Sequence, residues 1–179
     1  REDPYLLTGD AYGVDFSTMD EIALSMGFDG DSPCRVEAAL TYELSHNLNN
    51  GHVFLPRDKL LSAAAQLISA DTDALETALD GLLTRGVIVQ EQVANVQACY
   101  LLRLYQAETR VARRLLSLRD APRQTGKNVD RIITEMERQQ GIAYAPHQRQ
   151  AVTLAALSGV LLLTGGPGTG KTTTVNAIL

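Results

Sequence analysis

The sequence predicts a mostly α-helical chain with a small amount of β structure, whose last twenty residues open an α/β domain. Three observations carry this. Apolar residues recur at three- and four-residue spacing through long stretches between residues 33 and 157, the period of helices with one buried face. Before residue 160, three short runs, 52–55, 87–89 and 98–102, have the apolar density and the flanking turn residues of strands. The chain then closes on an apolar run, a glycine-rich loop and a helix-forming stretch, in that order, over residues 160–179.

The 179 residues suffice for one domain or two small ones. Hydrophobic residues make up 45% and charged residues 21%, which places the chain with ordinary globular proteins rather than disordered ones. No apolar run approaches the ~20 residues of a membrane span, and the start, Arg1-Glu2-Asp3-Pro4, has no signal-peptide pattern. A cytoplasmic protein without a membrane partner is therefore expected. Cys34 and Cys99 form no disulfide framework and no metal spacing, and read as reduced structural residues. The net charge of −5 hides an asymmetry. Residues 1–102 hold 5 Lys+Arg against 16 Asp+Glu, residues 103–149 hold 10 against 5, and residues 150–179 add Lys171 alone. The front is a poor general phosphate binder and the middle a better one.

Each element has its own justification. In residues 4–30, two short helices flank a turn, and Ser17-Thr18-Met19-Asp20 resembles a capping box with Ile22, Ala23 and Met26 on one apolar face. The turn Tyr12-Gly13-Val14-Asp15-Phe16 resembles the hairpin of a helix-hairpin-helix unit. Asp15 stands at its second glycine position, where a carboxylate repels a phosphate. Ser32-Pro33 is an N-cap followed by proline at N1, opening a helix toward Asn50 with Val36, Leu40, Leu44 and Leu48 on one face. His52-Val53-Phe54-Leu55 is a short strand. Pro56 opens a second helix bearing Leu60, Leu61, Ala64, Leu67 and Ile68. Asp73-Ala74-Leu75-Glu76 resembles the capping box of a third, with Leu75, Ala78, Leu79, Leu82 and Leu83 inward and Gly86 at its end. Val87–Val89 and Ala98–Leu102 then pair as a hairpin around Asn95.

This helix–strand–helix–helix–hairpin order is that of a winged helix. Its third helix carries Asp73, Glu76 and Asp80 against Arg85, so groove entry would set carboxylates against phosphates. A scaffold or protein-contact role is the better reading of this region. Residues 104–119 form an amphipathic helix with Leu104, Ala107, Val111, Leu115 and Leu118 inward and Arg110, Arg113 and Arg114 outward. Residues 120–128 are a linker. Asn128 caps a helix with Val129, Ile132, Ile133 and Met136 inward, which Gly141 ends. Pro146 starts the next helix, and Ser158-Gly159 closes it.

Gly165-x-x-x-x-Gly170-Lys171-Thr172 fits the Walker A pattern of a phosphate-binding loop. Val160–Thr164 reads as a buried parallel strand. Gly165, Gly166, Gly168 and Gly170 let the backbone wrap closely around phosphates, Pro167 stiffens the loop, and Thr169 completes it. Lys171 supplies a charge near the β- and γ-phosphates, Thr172 a hydroxyl for Mg²⁺, and Thr173 lies in the helix start whose free N–H groups face anions. ATP with Mg²⁺ is the expected cofactor pair. Only eight residues follow Lys171, so the rest of a catalytic domain is expected to lie beyond Leu179.

Upstream stands Tyr144-Ala145-Pro146-His147-Gln148-Arg149-Gln150-Ala151. Gln148, in a Gln-x-x-Ala setting on the helix before the loop, resembles the adenine-reading Q motif of helicases. Its amide offers the one donor and one acceptor that match adenine's N6 and N7 edge. His147 reads as a helix-surface residue, and His46 and His52 have no metal-ligand spacing.

Gln148-x-x-Ala151 followed by Gly165–Thr174 resembles the start of the motor of RecD-type superfamily 1 DNA helicases. Asp3-Pro4-Tyr5-Leu6, Gly51-His52-Val53-Phe54-Leu55-Pro56 and Ala107–Leu116 resemble the long, stand-alone form of that family. The resemblance implies a helix-hairpin-helix and winged-helix-like region before a RecA-like P-loop motor. The corresponding division is 1–30 hairpin unit, 31–103 winged-helix-like domain, 104–140 helical connector and 141–179 start of the motor. It also implies ATP-driven 5′→3′ unwinding of duplex DNA from single-stranded regions, in bacterial DNA repair. The Walker B carboxylates, arginine finger and main DNA track would lie past Leu179, so this chain alone is expected to be inactive. Two alternatives stand beside it: the motor of a conjugative relaxase-helicase, and a regulatory ATPase or adaptor whose winged helix binds a protein partner. Nucleic-acid contact within these residues would fall on Arg103, Arg110, Arg113, Arg114, Arg119, Arg123 and Lys127; the alternative is a solvated or docking face.

Overall fold

The computed structural model describes residues 3–8, 12–121 and 128–179. They fall into two compact units, Arg1–Thr109 and Arg110–Leu179. Most of the linker read over 120–128, with Arg123 and Lys127, lies outside the described residues.

The first unit opens with a 3₁₀ turn, Pro4–Leu7, begun by the Asp3 carboxylate, which accepts from the Tyr5 N–H at 2.9 Å. Helix α1 is Phe16–Ser25, and its cap is Asp15, whose carboxylate accepts from the Ser17 N–H at 3.1 Å. The helix thus starts before the Ser17–Asp20 box, and this shifts its buried face. Phe16, Met19 and Ala23 turn inward, whereas Ile22 and Met26, expected inside, are 45% and 62% exposed. The shift brings Asp20 against Arg35. Asp20 accepts from Arg35 Nε at 2.7 Å, Arg35 Nη2 at 2.8 Å and the Tyr5 hydroxyl at 2.6 Å. Arg35 also donates to the carbonyls of Gly30 and Ile68. The Arg35 guanidinium holds the Asp20 carboxyl below its usual range, and burial beside Asp20 pushes the Tyr5 phenol well up.

Helix α2, Pro33–His46, tightens into a 3₁₀ turn over Asn47–Asn50. Then follow β1 Leu55–Pro56, α3 Arg57–Ile68, α4 Thr72–Thr84, β2 Ile88–Val93 and β3 Val96–Leu101. The sheet is antiparallel in the order β1-β3-β2, with Leu55 opposite Cys99 and Val89 opposite Tyr100. This is the winged-helix arrangement. Val36, Leu40, Leu44, Leu60, Leu75, Leu79 and Ile88 bury between the helices and the sheet, as their spacing predicted. Three starts differ. The first strand begins at Leu55, and Pro56 pairs with Ala98 before α3 opens. Asp71, not Asp73, holds the N-cap position of α4, without a side-chain bond. The hairpin closes on Ala94-Asn95, with Ala94 at φ 52°. Burial raises the Cys99 thiol to about 11, in keeping with a structural cysteine.

Helix α5, Leu102–Asp120, follows β3 without a break. Leu104 packs on the first unit's core and Leu118 is half-buried, but the middle of the expected inner face finds no cover among the described residues: Val111 is 58% and Leu115 47% exposed. The second unit contains α6 Val129–Gln140, α7 Pro146–Leu157 and α8 Lys171–Ile178. Asn128 caps α6 through the Arg131 N–H at 3.3 Å. Ile133, Tyr144, Val152 and Ala177 form the buried centre of these three helices, with Val129 and Met136 packed on it; Ile132, expected with them, is exposed. Gly159 abuts the end of α5, where an added Cβ would lie 1.7 Å from the Leu118 carbonyl oxygen. The 160–164 run takes no strand pairing, and Leu162 is 85% exposed. A parallel strand exists by its hydrogen bonds to neighbouring strands, and no described segment supplies one.

Candidate functional site

The loop 165–170 turns into α8 at Lys171, where the sequence places the phosphate site. The first intrahelical bond of α8 is Thr174 N–H to Gly170 O, at 3.0 Å. The N–H groups of Lys171, Thr172 and Thr173 therefore have no acceptor within the helix, and the dipole of α8 adds partial positive charge there. Thr172 and Thr173 are exposed beside them. Lys171 Nζ arches back over the loop and donates to the carbonyls of Gly165 at 2.6 Å and Gly166 at 2.5 Å. The Thr169 hydroxyl donates to Gly166 O at 2.9 Å, which tightens the turn that carries Pro167 and Gly168.

The glycines differ in what they do. At Gly166 and Gly168 an added Cβ would meet nothing within 4 Å. Gly165 lies where a Cβ would come within 2.8 Å of Thr169 Oγ1. Gly170 is constrained twice: its φ is +78°, and a Cβ would stand 2.3 Å from Gln148 Nε2.

That last distance shows where Gln148 sits. It is the third residue of α7; its Oε1 accepts from the Ala145 N–H at 2.8 Å, and its Nε2 donates to Gly170 O at 3.4 Å. Gly170 O also accepts from the Thr174 hydroxyl at 3.0 Å. Sequence spacing alone placed Gln148 22 residues before Gly170; the fold brings its amide onto the loop. An amide carries two N–H donors and two lone pairs, so one of each remains after these bonds. His147 is exposed on the same turn.

A second polar group, missed in the sequence, stands behind Gln148. Glu137 of α6 accepts from the Tyr144 N–H at 2.8 Å through Oε1 and from Arg149 Nη1 through Oε2. Arg149 Nη2 donates to the Thr134 hydroxyl at 3.3 Å, and the Tyr144 hydroxyl donates to Gln140 Oε1 at 3.0 Å. The Arg149 guanidinium, helped by the Tyr144 N–H, holds the Glu137 carboxyl below the usual carboxylate range. The only sequence signal was an acid and an arginine twelve positions apart, which has no local meaning.

Of the basic candidates, Arg110, Arg113 and Arg114 are exposed on α5, and no side-chain hydrogen bond or ion pair joins them to other described residues. Arg119 pairs with the adjacent Asp120. Arg103 lines a cleft of about 660 Å³ with Gly13, Asp15 and His46 of the first unit. On α4, Asp80 is drawn off by Arg57 at 3.0 Å, while Asp73 and Glu76 are exposed. Among the described residues, no group of three His, Cys, Asp or Glu is placed to hold a metal ion. No described helix is long and apolar enough to cross a membrane.

A glycine loop leading into a helix whose first residue is a lysine folded over it, with a glutamine amide on the loop's last carbonyl, is the arrangement of a P-loop. The comparisons agree. The AAA domain family matches residues 148–179, beginning at Gln148. The family described as ATP-dependent RecD2 DNA helicase HHH domain matches residues 1–54. The ATP-dependent RecD2 DNA helicase of Deinococcus radiodurans is 30% identical over 190 aligned positions, covering 99% of this chain and 26% of the relative. The RecBCD enzyme subunit RecD of Mycobacterium tuberculosis is 33% identical over 124 positions, 69% of this chain and 18% of that subunit. From the helix-hairpin-helix domain into the phosphate loop, the chain is similar to the N-terminal region of RecD-like superfamily 1 helicases. It spans about a quarter of the length of the Deinococcus relative.

Proposed function

We propose that the intact protein carrying this region couples ATP hydrolysis to 5′→3′ translocation on single-stranded DNA and unwinds duplex DNA at junctions, in DNA repair or recombination in the cytoplasm. The observation that carries the reading is the convergence of Gln148 and Lys171 on one phosphate loop, in a chain 99% of which aligns with the Deinococcus RecD2 helicase. ATP fits the residues present. The N–H groups opening α8 suit phosphate oxygens. The remaining donor and acceptor of Gln148 suit the adenine edge. Lys171 would leave its two carbonyls for the β- and γ-phosphates, and the Thr172 hydroxyl would supply one ligand of Mg²⁺, whose other ligands would be phosphate oxygens, water and a carboxylate from outside these residues. When bound, the ion neutralises charge developing on the transferred phosphoryl group.

Walker B carboxylates, an arginine finger and the main DNA track would come from outside these residues, so residues 1–179 alone are proposed to be inactive. The exposed Asp73 and Glu76 of α4 favour a protein over DNA as the partner of the winged-helix region. The intact protein, given ATP and Mg²⁺ on duplexes with a 5′ or a 3′ single-stranded tail, tests the function. Unwinding of the 5′-tailed duplex alone is the expected result. Unwinding from the 3′ tail overturns the polarity, and ATP hydrolysis indifferent to single-stranded DNA points to the regulatory ATPase. A nicking domain upstream would mark the relaxase-helicase.

A further inference from the structure

Thr134, Glu137 and Gln140 stand three residues apart, so they share one face of α6. All three reach the segment that carries Gln148. Thr134 takes Arg149 Nη2, Glu137 takes both the Tyr144 N–H and Arg149 Nη1, and Gln140 takes the Tyr144 hydroxyl. Residues 144 and 149 bracket Gln148, which itself closes the turn through the Ala145 N–H. Glu137 is the centre of this ridge. Its side chain is 17% exposed, and each carboxylate oxygen has its own donor. The apolar side of α6, Ile133 with Met136, meanwhile packs on Tyr144 and Val152. α6 is thus fixed in the unit by one face and grips the start of α7 with the other.

We propose that Glu137 is a positioning residue for the nucleotide base: through Arg149 and the Tyr144 N–H it sets the start of α7, and so the reach of the Gln148 amide to both Gly170 and an adenine edge. Without Glu137, the Tyr144 N–H has no acceptor and Arg149 keeps only the Thr134 hydroxyl, so the start of α7 is held to α6 only by that bond, the Tyr144–Gln140 bond and apolar packing, and its position loosens. The consequence is selective. Lys171 and the N–H groups of α8 do not depend on this grip, so phosphate binding and the chemical step are spared while base discrimination falls. This rests on the reading of Gln148 as the adenine reader.

The experiment measures KM and kcat for ATP and for GTP in the intact protein, comparing wild type with Glu137→Ala, Glu137→Gln, Gln148→Ala and the Glu137→Ala/Gln148→Ala double variant. Gln148→Ala should erase most of the preference for ATP. Glu137→Ala should raise the ATP KM roughly three- to tenfold, the scale of one net hydrogen bond, with GTP KM and both kcat values little changed. Glu137→Gln keeps an acceptor for Tyr144 and should fall between wild type and Glu137→Ala. The double variant should be no worse than Gln148→Ala alone, because the two act through one contact. GTP turnover is the internal control for folding. If Glu137→Ala keeps full ATP preference while Gln148→Ala loses it, the positioning role is overturned and the base reading survives. Equal losses for ATP and GTP in Glu137→Ala also overturn it, as general destabilisation. If Gln148→Ala keeps the preference, the base reading fails and takes this proposal with it.

Discussion

Gly170→Ala tests the geometry of the phosphate loop directly. The substitution meets two costs that the structure separates. At φ +78° an L-residue carries its Cβ against its own backbone, a cost of about 1–2 kcal/mol. The new Cβ would also stand 2.3 Å from Gln148 Nε2. That amide ends a flexible side chain, so it moves, but it gives up its bond to Gly170 O, worth about 0.5–1.5 kcal/mol net. If both fall on the binding-competent loop, ATP affinity drops by about 1.5–3.5 kcal/mol, or roughly 10- to 300-fold. Gly168→Ala isolates the backbone cost, since Gly168 has φ +74° and nothing within 4 Å. Its effect should be the smaller of the two. In a Gln148→Ala background the extra penalty of Gly170→Ala should vanish. The assay is equilibrium binding of a fluorescent ATP analogue to the intact protein, with circular dichroism to confirm folding. If Gly170→Ala binds within threefold of wild type, or no more weakly than Gly168→Ala, the Gln148–Gly170 contact does not shape the site.

Asp20→Ala leaves the largely buried Arg35 without its carboxylate, which should cost about 3–5 kcal/mol in thermal or urea unfolding of the first unit; a loss under 1 kcal/mol would remove this pair from the account. Because Arg35 depresses the Asp20 pKa, the stability it adds is present above the unfolded carboxylate's pKa of about 3.9 and is lost as pH falls through the lower folded value. Wild type should therefore show an acid-side loss of stability that Asp20→Asn lacks in part, and identical pH profiles would contradict this. At the hairpin turn, Ala94→Gly should stabilise the first unit by up to about 1 kcal/mol, because Ala94 holds φ 52°; destabilisation would mean the turn is not strained. Arg110→Glu, Arg113→Glu and Arg114→Glu combined should weaken single-stranded DNA binding and flatten its salt dependence if this face meets phosphates; unchanged affinity at low salt rejects that contact, and lost stability with unchanged affinity indicates docking instead.

What could be read from the sequence follows from which forces are local. The phosphate loop is legible because its geometry needs glycines, a lysine and a helix start within ten residues. The winged-helix order is legible because Leu40, Leu44, Leu60, Leu75 and Leu79 repeat at helical spacing and do bury. Helix α1 was out of phase because its cap is Asp15 rather than Ser17, and one shifted cap turned Met19 inward and Met26 outward. The Asp20–Arg35–Tyr5 group joins residues fifteen apart on different elements, and the Glu137–Arg149 group joins two helices; charge pairs of that kind leave no trace in periodicity. The 160–164 run has a strand's composition but no neighbour among the described residues, and strand structure is a property of pairs. Helix α5 shows the same limit, since its amphipathic pattern marks an apolar face without naming what covers it.

On the proposed function, this region supplies the phosphate and base side of a DNA-driven ATPase. Steady-state ATP hydrolysis by the intact protein, with and without single-stranded DNA, measured for wild type and Lys171→Ala, tests it most directly. Lys171 contacts only loop carbonyls and contributes nothing to either buried core, so its loss should leave the circular dichroism spectrum and melting temperature unchanged. DNA-stimulated turnover is expected in wild type, with a fall of roughly 100-fold or more in Lys171→Ala, the scale of removing one charge from a phosphoryl-transfer site. A folded Lys171→Ala protein that hydrolyses ATP at a near wild-type rate would contradict it.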